Sequence, residues 1–550
     1  MSLYSVFKIY FRPNHFFMSI LLGASIVTLL SCKTKSEDAK RPNILFAISD
    51  DQSFAHTGFA GCSFIGTPAF DRVAEEGIYF TNCIAGSPGC APSRSTIVTG
   101  RYHWQNEQSG QHASSWMKKY VPFIDLLEAN GYVTGRTGKG VSPFRYAHSK
   151  DDSLWRKTNA GGIEYSQINY LKNTNTDYRT ATGISSRNYF ANFKYFVDSI
   201  KRDKPFFFWY GAHEPHRAFE QDSWKRNNKK LTDAGVPGFL PGHEIVRGDM
   251  LDYAIEIEWF DLHLQRMLAY LKEIGELENT IVIVTSDNGM SFPRAKANGY
   301  EYGVHVPFAV IFPKGFPGGR IVEDPISFAD IAPTILELTK TDSKGMLPIS
   351  GKSIVNTLRS KKQGAVDTSK KYVFSGRERH SSSRYKNRGY PQRMIRSNDY
   401  LLIWNMKPER WPAGAPQRIV RGTNDKLRPM YGIDKNGVHH SEWAFTDIDS
   451  APTKSFIIEN RNDEKVKPFF HMAVDKRPEY EFFNIQEDPF CLNNLIEEDS
   501  CKDIFIEMKS VLLKELIKSK DPRVVGPDTE VFDSYIRYSH MREFPKLQGL

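Results

Sequence analysis

Asn-Ile-Leu-Phe-Ala-Ile-Ser-Asp-Asp, residues 43–51, is the stretch on which the reading of this chain turns. Its first seven positions are apolar or small without alternation, follow Pro42, and have the length of a strand covered on both faces; they stop at two adjacent acids. Residues 280–289, TIVIVTSDNG, repeat the arrangement, a β-branched run that ends in Ser286-Asp287-Asn288-Gly289. Between the two lie helical patterns over 121–130 and 252–274 and an aromatic strand pattern over 205–210, PFFFWY. Alternating strands and helices with doubly covered strands predict an α/β fold, a central mostly parallel sheet flanked by helices. Ligands gather at the carboxyl edge of such sheets. Adjacent carboxylates at that edge repel one another and are costly to desolvate unless a cation neutralises them. Asp50, Asp51, Asp287 and Asn288 offer only oxygen donors, three of them anionic, a set suited to Ca²⁺ or Mg²⁺ rather than zinc. Taken singly, Asp-Asp also caps helices and Asp-Asn-Gly also makes turns. Finding both directly after buried strands favours one shared metal site.

Residues 90–101, CAPSRSTIVTGR, lie between the two strands and set a thiol, a proline and an arginine at C-x-P-x-R spacing. The order SDD (49–51), CAPSRSTIVTGR, GYVTGRTGKG (131–140), GAHEPH (211–216) and SDNG (286–289) resembles the type I sulfatases of the alkaline-phosphatase-like superfamily. The resemblance implies that a sulfatase-maturating enzyme oxidises Cys90 to formylglycine, and that Asp50, Asp51, Asp287, Asn288 and the modified Cys90 bind one Ca²⁺. It further implies that Arg94 steadies the aldehyde hydrate, that Lys139 and His213 contact the sulfate, and that Lys296 adds a cation facing it, with Arg294 as the alternative. In the implied reaction one hydrate hydroxyl attacks sulfur, His213 protonates the leaving atom, and the second hydroxyl expels sulfate. His216 is the rival or partner of His213. One departure stands out: Gly138-Lys139-Gly140-Val141 lacks the histidine that many members carry two residues after the lysine. His112, His148 and His305 are the candidates to replace it.

HEPHRAF at 213–219, the spacing from DNG through FP at 292–293 to Lys296, and the segments 389–405 and 479–495 look like the sulfamidase branch of the family. They point to the N-sulfate of glucosamine in heparin or heparan sulfate, with O-sulfated glucosamine as the alternative. A phosphatase or phosphodiesterase of the same superfamily would share the metal acids but normally bears serine or threonine where Cys90 stands. A glycan-binding lipoprotein without activity is the non-enzyme alternative.

The catalytic domain is expected over 42–370, and a smaller C-terminal α+β subdomain with an antiparallel sheet over 371–550, beginning near the strand pattern YVFSG and including a helix over 502–518. Six arginines and Lys386 against Glu378 alone, between Arg377 and Arg396, read either as a solvated face or as a cleft wall in which Arg384 and Arg393 grip a polyanionic sugar. Trp404 and Trp411 are candidate sugar platforms.

Lys8 and Arg12 precede an apolar run over 16–30 that ends in Leu29-Leu30-Ser31-Cys32, short for a membrane span. It resembles a bacterial lipobox, which implies a signal peptide over 1–31, lipidation of Cys32, a tether over 32–41, and an exported lipoprotein anchored in the periplasm or at the outer membrane. In an oxidising compartment Cys491 and Cys501, ten residues apart, are candidates for a local disulfide. The net charge of +9 suits an anionic partner, while the chain carries no nucleic-acid motif.

Overall fold

Strand β1 (Asn43–Ser49) is an interior strand of a seven-stranded sheet completed by β2 (Ile78–Phe80), β3 (Val133–Gly138), β4 (Phe206–Gly211), β5 (Thr280–Ser286), β6 (Phe308–Ile311) and β7 (Arg320–Val322). The computed structural model describes residues 40–147, 153–171, 179–201, 203–420, 422–423 and 426–538. The expected signal peptide, Cys32, nearly all of the tether and His148 lie outside them. The strand order is β7-β2-β6-β5-β1-β4-β3. β1 pairs in parallel with β4 and β5, and β4 with β3, whereas β6 runs against β5 and β2.

Both faces of this sheet are covered, which is why its strands show no polar alternation. Ile44, Phe46 and Ile48 of β1 face one core with Phe207, Trp209, Ile281 and Ile283, beneath helices α1 (Cys90–Thr99), α2 (Phe123–Ala129) and α5 (Ile331–Leu338). Leu45 and Ala47 face the other with Phe208, Tyr210, Val282 and Val284, beneath α3 (Tyr189–Asp198) and α4 (Glu244–Glu273). Helix α4 starts eight residues before the expected position, at a turn capped by the His243 ring, which accepts from Ile245 N. Gly248 is tolerated within it because a side chain there would meet Trp224 at 3.2 Å.

A second, four-stranded antiparallel sheet, β8 (Val373–Arg377), β9 (Gln392–Arg396), β10 (Tyr400–Asn405) and β11 (Tyr480–Asn484), belongs to the same compact unit, residues 41–550. Its period-two alternation feeds two clusters. Phe374, Ile395, Leu402 and Phe482 pack with Met508, Leu512 and Leu516 of helix α6 (Lys502–Lys518); Val373, Met394, Leu401, Ile403 and Phe483 pack with Tyr300 and Val304.

This double covering overturns the expectation for the arginine run, which forms neither a solvated face nor a cleft wall. Five of its six arginines are buried. Arg393 is held between Asp521 (2.5 Å) and Glu378 (2.8 Å), and Arg384 donates to Asp447 (2.6 Å) and to the carbonyls of Trp411 and Pro412. Arg396 forks onto Glu301 (2.8 and 3.0 Å). Because strands covered on both faces turn alternate residues into opposite interiors, arginines there are buried and require carboxylate partners. Trp404 stacks on Tyr480, and Trp411 lies under Lys476. The expected Cys491–Cys501 disulfide is absent: all described cysteines are free, and Cys491 packs beside Tyr300 while Cys501 packs in the α6 cluster.

Arg393→Ala is therefore expected to lower the unfolding free energy by about 3–5 kcal/mol, because it strands buried carboxylates. Denaturant titration reads this loss; a stable variant with impaired ligand binding would contradict the scaffold role.

Candidate active site

Four neighbouring strands release their chains at one edge of the large sheet. Ser49 lies opposite Ser286, Ile48 opposite Gly211, and Gly211 opposite Gly138, so Asp50, Asp287, Lys139 and His213 emerge side by side. Gly211 is required there: a Cβ would lie 1.8 Å from the Lys139 carbonyl. That carbonyl accepts from Arg94 Nη1 (2.9 Å) and Trp209 Nε1 (3.0 Å), which fixes the start of the lysine loop.

Helix α1 carries Cys90 in its first turn, and all ten of its residues are buried. Ser93 Oγ donates to the Asp287 carbonyl (2.6 Å), tying the helix to the end of β5. Arg94, one turn on, donates from Nε to Asp287 Oδ2 at 2.6 Å and reaches Asp50 Oδ1 at 4.0 Å. Lys139 Nζ donates to Asp50 Oδ2 at 2.5 Å. Lys296 Nζ donates to Asp51 Oδ2 at 2.6 Å and also lies 3.1 Å from Asp449 Oδ2. Asp51 adopts φ 79°, a conformation costly for a side-chain-bearing residue, and is held there by its N–H donating to Asp287 Oδ1 (3.1 Å) and by Asn288 Nδ2 donating to Asp51 Oδ1 (2.8 Å).

Burial dominates the electrostatics. It drives Asp51 and Asp287 up to about 6 despite Lys296 and Arg94, with the neighbouring Asp50 adding to the rise. Burial also opposes ionisation of Asp50, but Lys139, His216 and Arg94 together hold its carboxyl well below the usual range. Burial pushes the Cys90 thiol up, so the unmodified side chain is a poor thiolate nucleophile.

The residues present fit a divalent cation. One ligand atom each from Asp50, Cys90 and Asp287 lies within 4.8 Å of the others. Asp50 Oδ1 and Asn288 Oδ1 are buried oxygens with no hydrogen-bond partner, and the Asn288 amide is turned so that its nitrogen serves Asp51 and Gly289. Asp50, Asp51, Asp287 and Asp449 against Arg94, Lys139 and Lys296 leave one excess negative charge when all are ionised. A doubly charged cation reverses that sign and prepares the pocket for an anion.

The cleft above the cluster has a volume of about 790 Å³ and is lined by Cys90, Lys139, Lys296, His213 and His216 among others. His213 Nε2 lies 2.6 Å from Arg187 Nη1, so it accepts from that guanidinium. His216 Nδ1 lies 2.6 Å from the Arg217 carbonyl, and its Nε2 lies 4.0 Å from Asp51. Burial, reinforced by Lys139 for His213 and by Lys296 for His216, lowers these rings to about 3 and about 4. Arg294, the alternative to Lys296, turns away onto the Cys491 carbonyl and the Tyr300 ring. Of the histidines considered as replacements, His305 is bound to Glu301 and the Thr81 carbonyl away from the cleft, whereas His112 lines it beside His380, ring centroids 5.2 Å apart. A Cβ on Gly89, the residue before Cys90, would come within 3.2 Å of His380 Nδ1.

Arg187, His380, Asp449 and Arg537 also line the cleft and were missed by sequence reading. They stand on loops far apart in the chain. Only Arg217, in the motif HEPHR, carried a local signal; it forks onto Asp249 at 2.7 and 2.8 Å between the rings of Phe219 and Phe292.

A protein-family model described as Sulfatase matches residues 42–341. Human N-sulphoglucosamine sulphohydrolase is 24% identical over 409 residues, covering 67% of this chain and 74% of that protein. N-acetylglucosamine-6-O-sulfatase of Bacteroides thetaiotaomicron is 24% identical over 487 residues, covering 70% and 82%. The solved structure of BT4656 in complex with its substrate D-glucosamine-2-N,6-O-disulfate shares the fold, with a TM-score of 0.59 and 18% identity over 88% of this chain and 99% of that one.

Calcium is expected to raise the thermal midpoint, since a hundredfold excess over its dissociation constant stabilises by about 2.7 kcal/mol. Chelation should reverse the shift, and Asp287→Asn should abolish it. An Asp287→Asn protein that responds to calcium like the parent would place the ion elsewhere.

Proposed function

The chain belongs to the sulfatase family, and from that premise we propose that it hydrolyses sulfate from a sulfated glycan, specifically the N-sulfate of glucosamine in heparin or heparan sulfate. The supporting observation is the convergence of Cys90, Arg94, Lys139 and Lys296 with Asp50 and Asp287 at the floor of one cleft. The choice of the N-sulfate rests on HEPHRAF, whose two histidines and arginine line that cleft, and on the similarity to N-sulphoglucosamine sulphohydrolase.

Asp50, Asp51, Asp287 and Asn288, with position 90, would hold a calcium ion, which when bound supplies fixed positive charge for the sulfate oxygens. Oxidised to formylglycine by a maturating enzyme, position 90 supplies a hydrated aldehyde, a nucleophile that needs no thiolate. The chain's own residues do the rest. Lys139 and Lys296 stand where a sulfate entering the cleft meets them, and Arg94 is fixed by Asp287 and two carbonyls, so none of this field must reorganise during the reaction.

The histidines differ in what they can donate. Arginine only donates, so His213 Nε2 is the bare nitrogen and its proton sits on Nδ1, available to a leaving amine or alcohol. His216 is the same tautomer, but its Nδ1 proton is committed to the Arg217 carbonyl, and its bare Nε2 faces the acids. His213 is therefore the proton donor and His216 its positioning neighbour. The hydrogen-bonding role of the histidine missing after Lys139 passes to His112 and His380, on the side of the cleft next to Gly89.

Peptide mass spectrometry of the Cys90 peptide, followed by sulfate-release assays on N-sulfated and 6-O-sulfated glucosamine, tests the reading. Formylglycine at position 90 and release from the N-sulfated sugar are expected; release only from the 6-O-sulfated sugar selects the O-sulfatase alternative. His112→Ala combined with His380→Ala is expected to lower kcat by roughly 10²-fold with a smaller change in KM. An unchanged kcat would return the role to another group.

A further inference from the structure

Helix α4 buries four carboxylic acids, Asp249, Asp252, Glu256 and Asp261, and three of them have donors around them. Asp249 receives the Arg217 fork (2.7 and 2.8 Å). Asp252 accepts from the N–H groups of Asp222 and Trp224 (both 3.0 Å) and from Ser223 Oγ (2.7 Å), and Asp261 accepts from the N–H groups of Ala69 and Phe70 (both 2.8 Å). Glu256 is the exception. It is 3% exposed, its Oε1 is enclosed without a hydrogen-bond partner, and no described residue donates to its carboxyl. A polar group in that position is costly unless something outside the chain pairs with it.

Glu256 is not sealed in the core, for it lines the cleft that also holds Cys90 and Lys139. Its neighbours on the helix divide there: Ile255 and Trp259 enter the core beneath the large sheet, whereas Tyr253, Ala254 and Ile257 enter a second apolar cluster with Met290 and Phe292. Glu214, its neighbour on the cleft wall, is satisfied by Ser185 N on Oε1 and by the Tyr189 hydroxyl on Oε2, both at 2.8 Å. Burial, reinforced by Glu214, Asp252 and Glu220, holds the Glu256 carboxyl well above its usual range, which favours the protonated form, an O–H donor and a C=O acceptor on one group. A metal ion does not fit. Among the described residues the acids, thiols and imidazoles whose ligand atoms converge in threes are Asp50, Cys90 and Asp287, and one carboxyl falls far short of the roughly six to eight oxygens that calcium takes. An anion is repelled by the surrounding acids. A hydroxyl, which both donates and accepts, matches the group.

Resting on the sulfatase reading above, we propose that Glu256 is a specificity residue whose carboxyl pairs with a free hydroxyl of the substrate sugar, and that the acidic wall around it rejects a sugar carrying sulfate in place of that hydroxyl. The cations of the floor receive the sulfate to be removed; the wall at α4 requires an unsulfated position. Selection among sulfation patterns is then made by exclusion at this wall as well as by attraction at the floor.

The test measures binding by calorimetry to calcium-loaded Cys90→Ala protein, in which turnover is blocked, using N-sulfated glucosamine and its 3-, 4- and 6-deoxy analogues. Glu256→Met, which keeps the length of the side chain without its hydrogen-bonding groups, should weaken N-sulfated glucosamine roughly tenfold. One deoxy analogue, already roughly tenfold weaker with Glu256 in place, should lose nothing more in Glu256→Met, and that analogue identifies the hydroxyl. N-sulfated glucosamine with a further sulfate at the same position should bind more weakly than N-sulfated glucosamine itself. Glu256→Gln, whose amide also donates and accepts, should stay within about threefold of the glutamate protein. Thermal melting separates this role from a structural one: removing an unpaired buried group should leave Glu256→Met at least as stable as its parent. Equal weakening of every analogue, no weakening, or a Glu256→Gln loss as large as that of Glu256→Met would each overturn the proposal, the last by assigning a carboxylate that holds an amine. If no sulfate is released from any glycan by the parent enzyme, the catalytic reading fails while a hydroxyl coupled to Glu256 in binding still stands; if binding shows no such coupling, Glu256 is refuted whatever the activity.

Discussion

Three buried carboxylates, Asp50, Asp51 and Asp287, share one edge of the large sheet, and the site is organised around keeping them there. Burial works against their ionisation: even beside Lys296 and Arg94, Asp51 and Asp287 stay raised to about 6. Three cations from three separate parts of the chain oppose burial, fully at Asp50 and in part at the other two: Arg94 from the first turns of α1, Lys139 after β3, and Lys296 from the loop after β5. Removing one partner of such a cluster leaves an uncompensated charge in the interior, which costs several kcal/mol. The cluster therefore also fixes the docking of α1 on the sheet, and with it the position of Cys90.

Much of this frame was legible because it rests on short-range patterns. The bounds of β1 follow from an unbroken apolar run, and its pairing with β5 brings together the two acid-bearing turns that the sequence separates by more than two hundred residues. The carboxyl edge of a parallel sheet is where such turns must meet, so the metal reading needed no knowledge of the intervening loops. What remained hidden depends on tertiary partners. A run of arginines looks the same in sequence whether it meets solvent, substrate or buried acids, and only the partners Asp447, Asp521, Glu378 and Glu301, scattered from 301 to 521, decide the case. Arg187, Asp449 and Arg537 were missed for the converse reason: each is an ordinary loop residue until the fold carries it to the cleft.

Withdrawing the arginine run from the substrate surface changes how selectivity is to be understood. Arg393 and Arg396 point to opposite faces of β9, one toward Asp521 beside α6, the other toward Glu301 of the main body. They act as electrostatic dowels between layers. Among the cations that line the cleft, Lys139 and Lys296 are held at the acids, Arg187 at His213 and Arg217 at Asp249.

The pairing of Arg187 with His213 sets the proton inventory of the reaction. A guanidinium at 2.6 Å from Nε2 disfavours a second proton on that ring, in agreement with burial lowering it to about 3. A ring so held carries one proton, on Nδ1, over the physiological range, and its charge does not compete with Lys139 for the sulfate. For an N-sulfate the leaving nitrogen must gain a proton as the bond to sulfur breaks, and a neutral imidazole that gives its only ring proton becomes an imidazolate, whose negative charge on Nε2 falls against the Arg187 guanidinium. The pairing with Arg187 therefore strengthens only as the transition state forms, where it lowers the barrier most, and reprotonation of Nδ1 from solvent returns the ring to its neutral form.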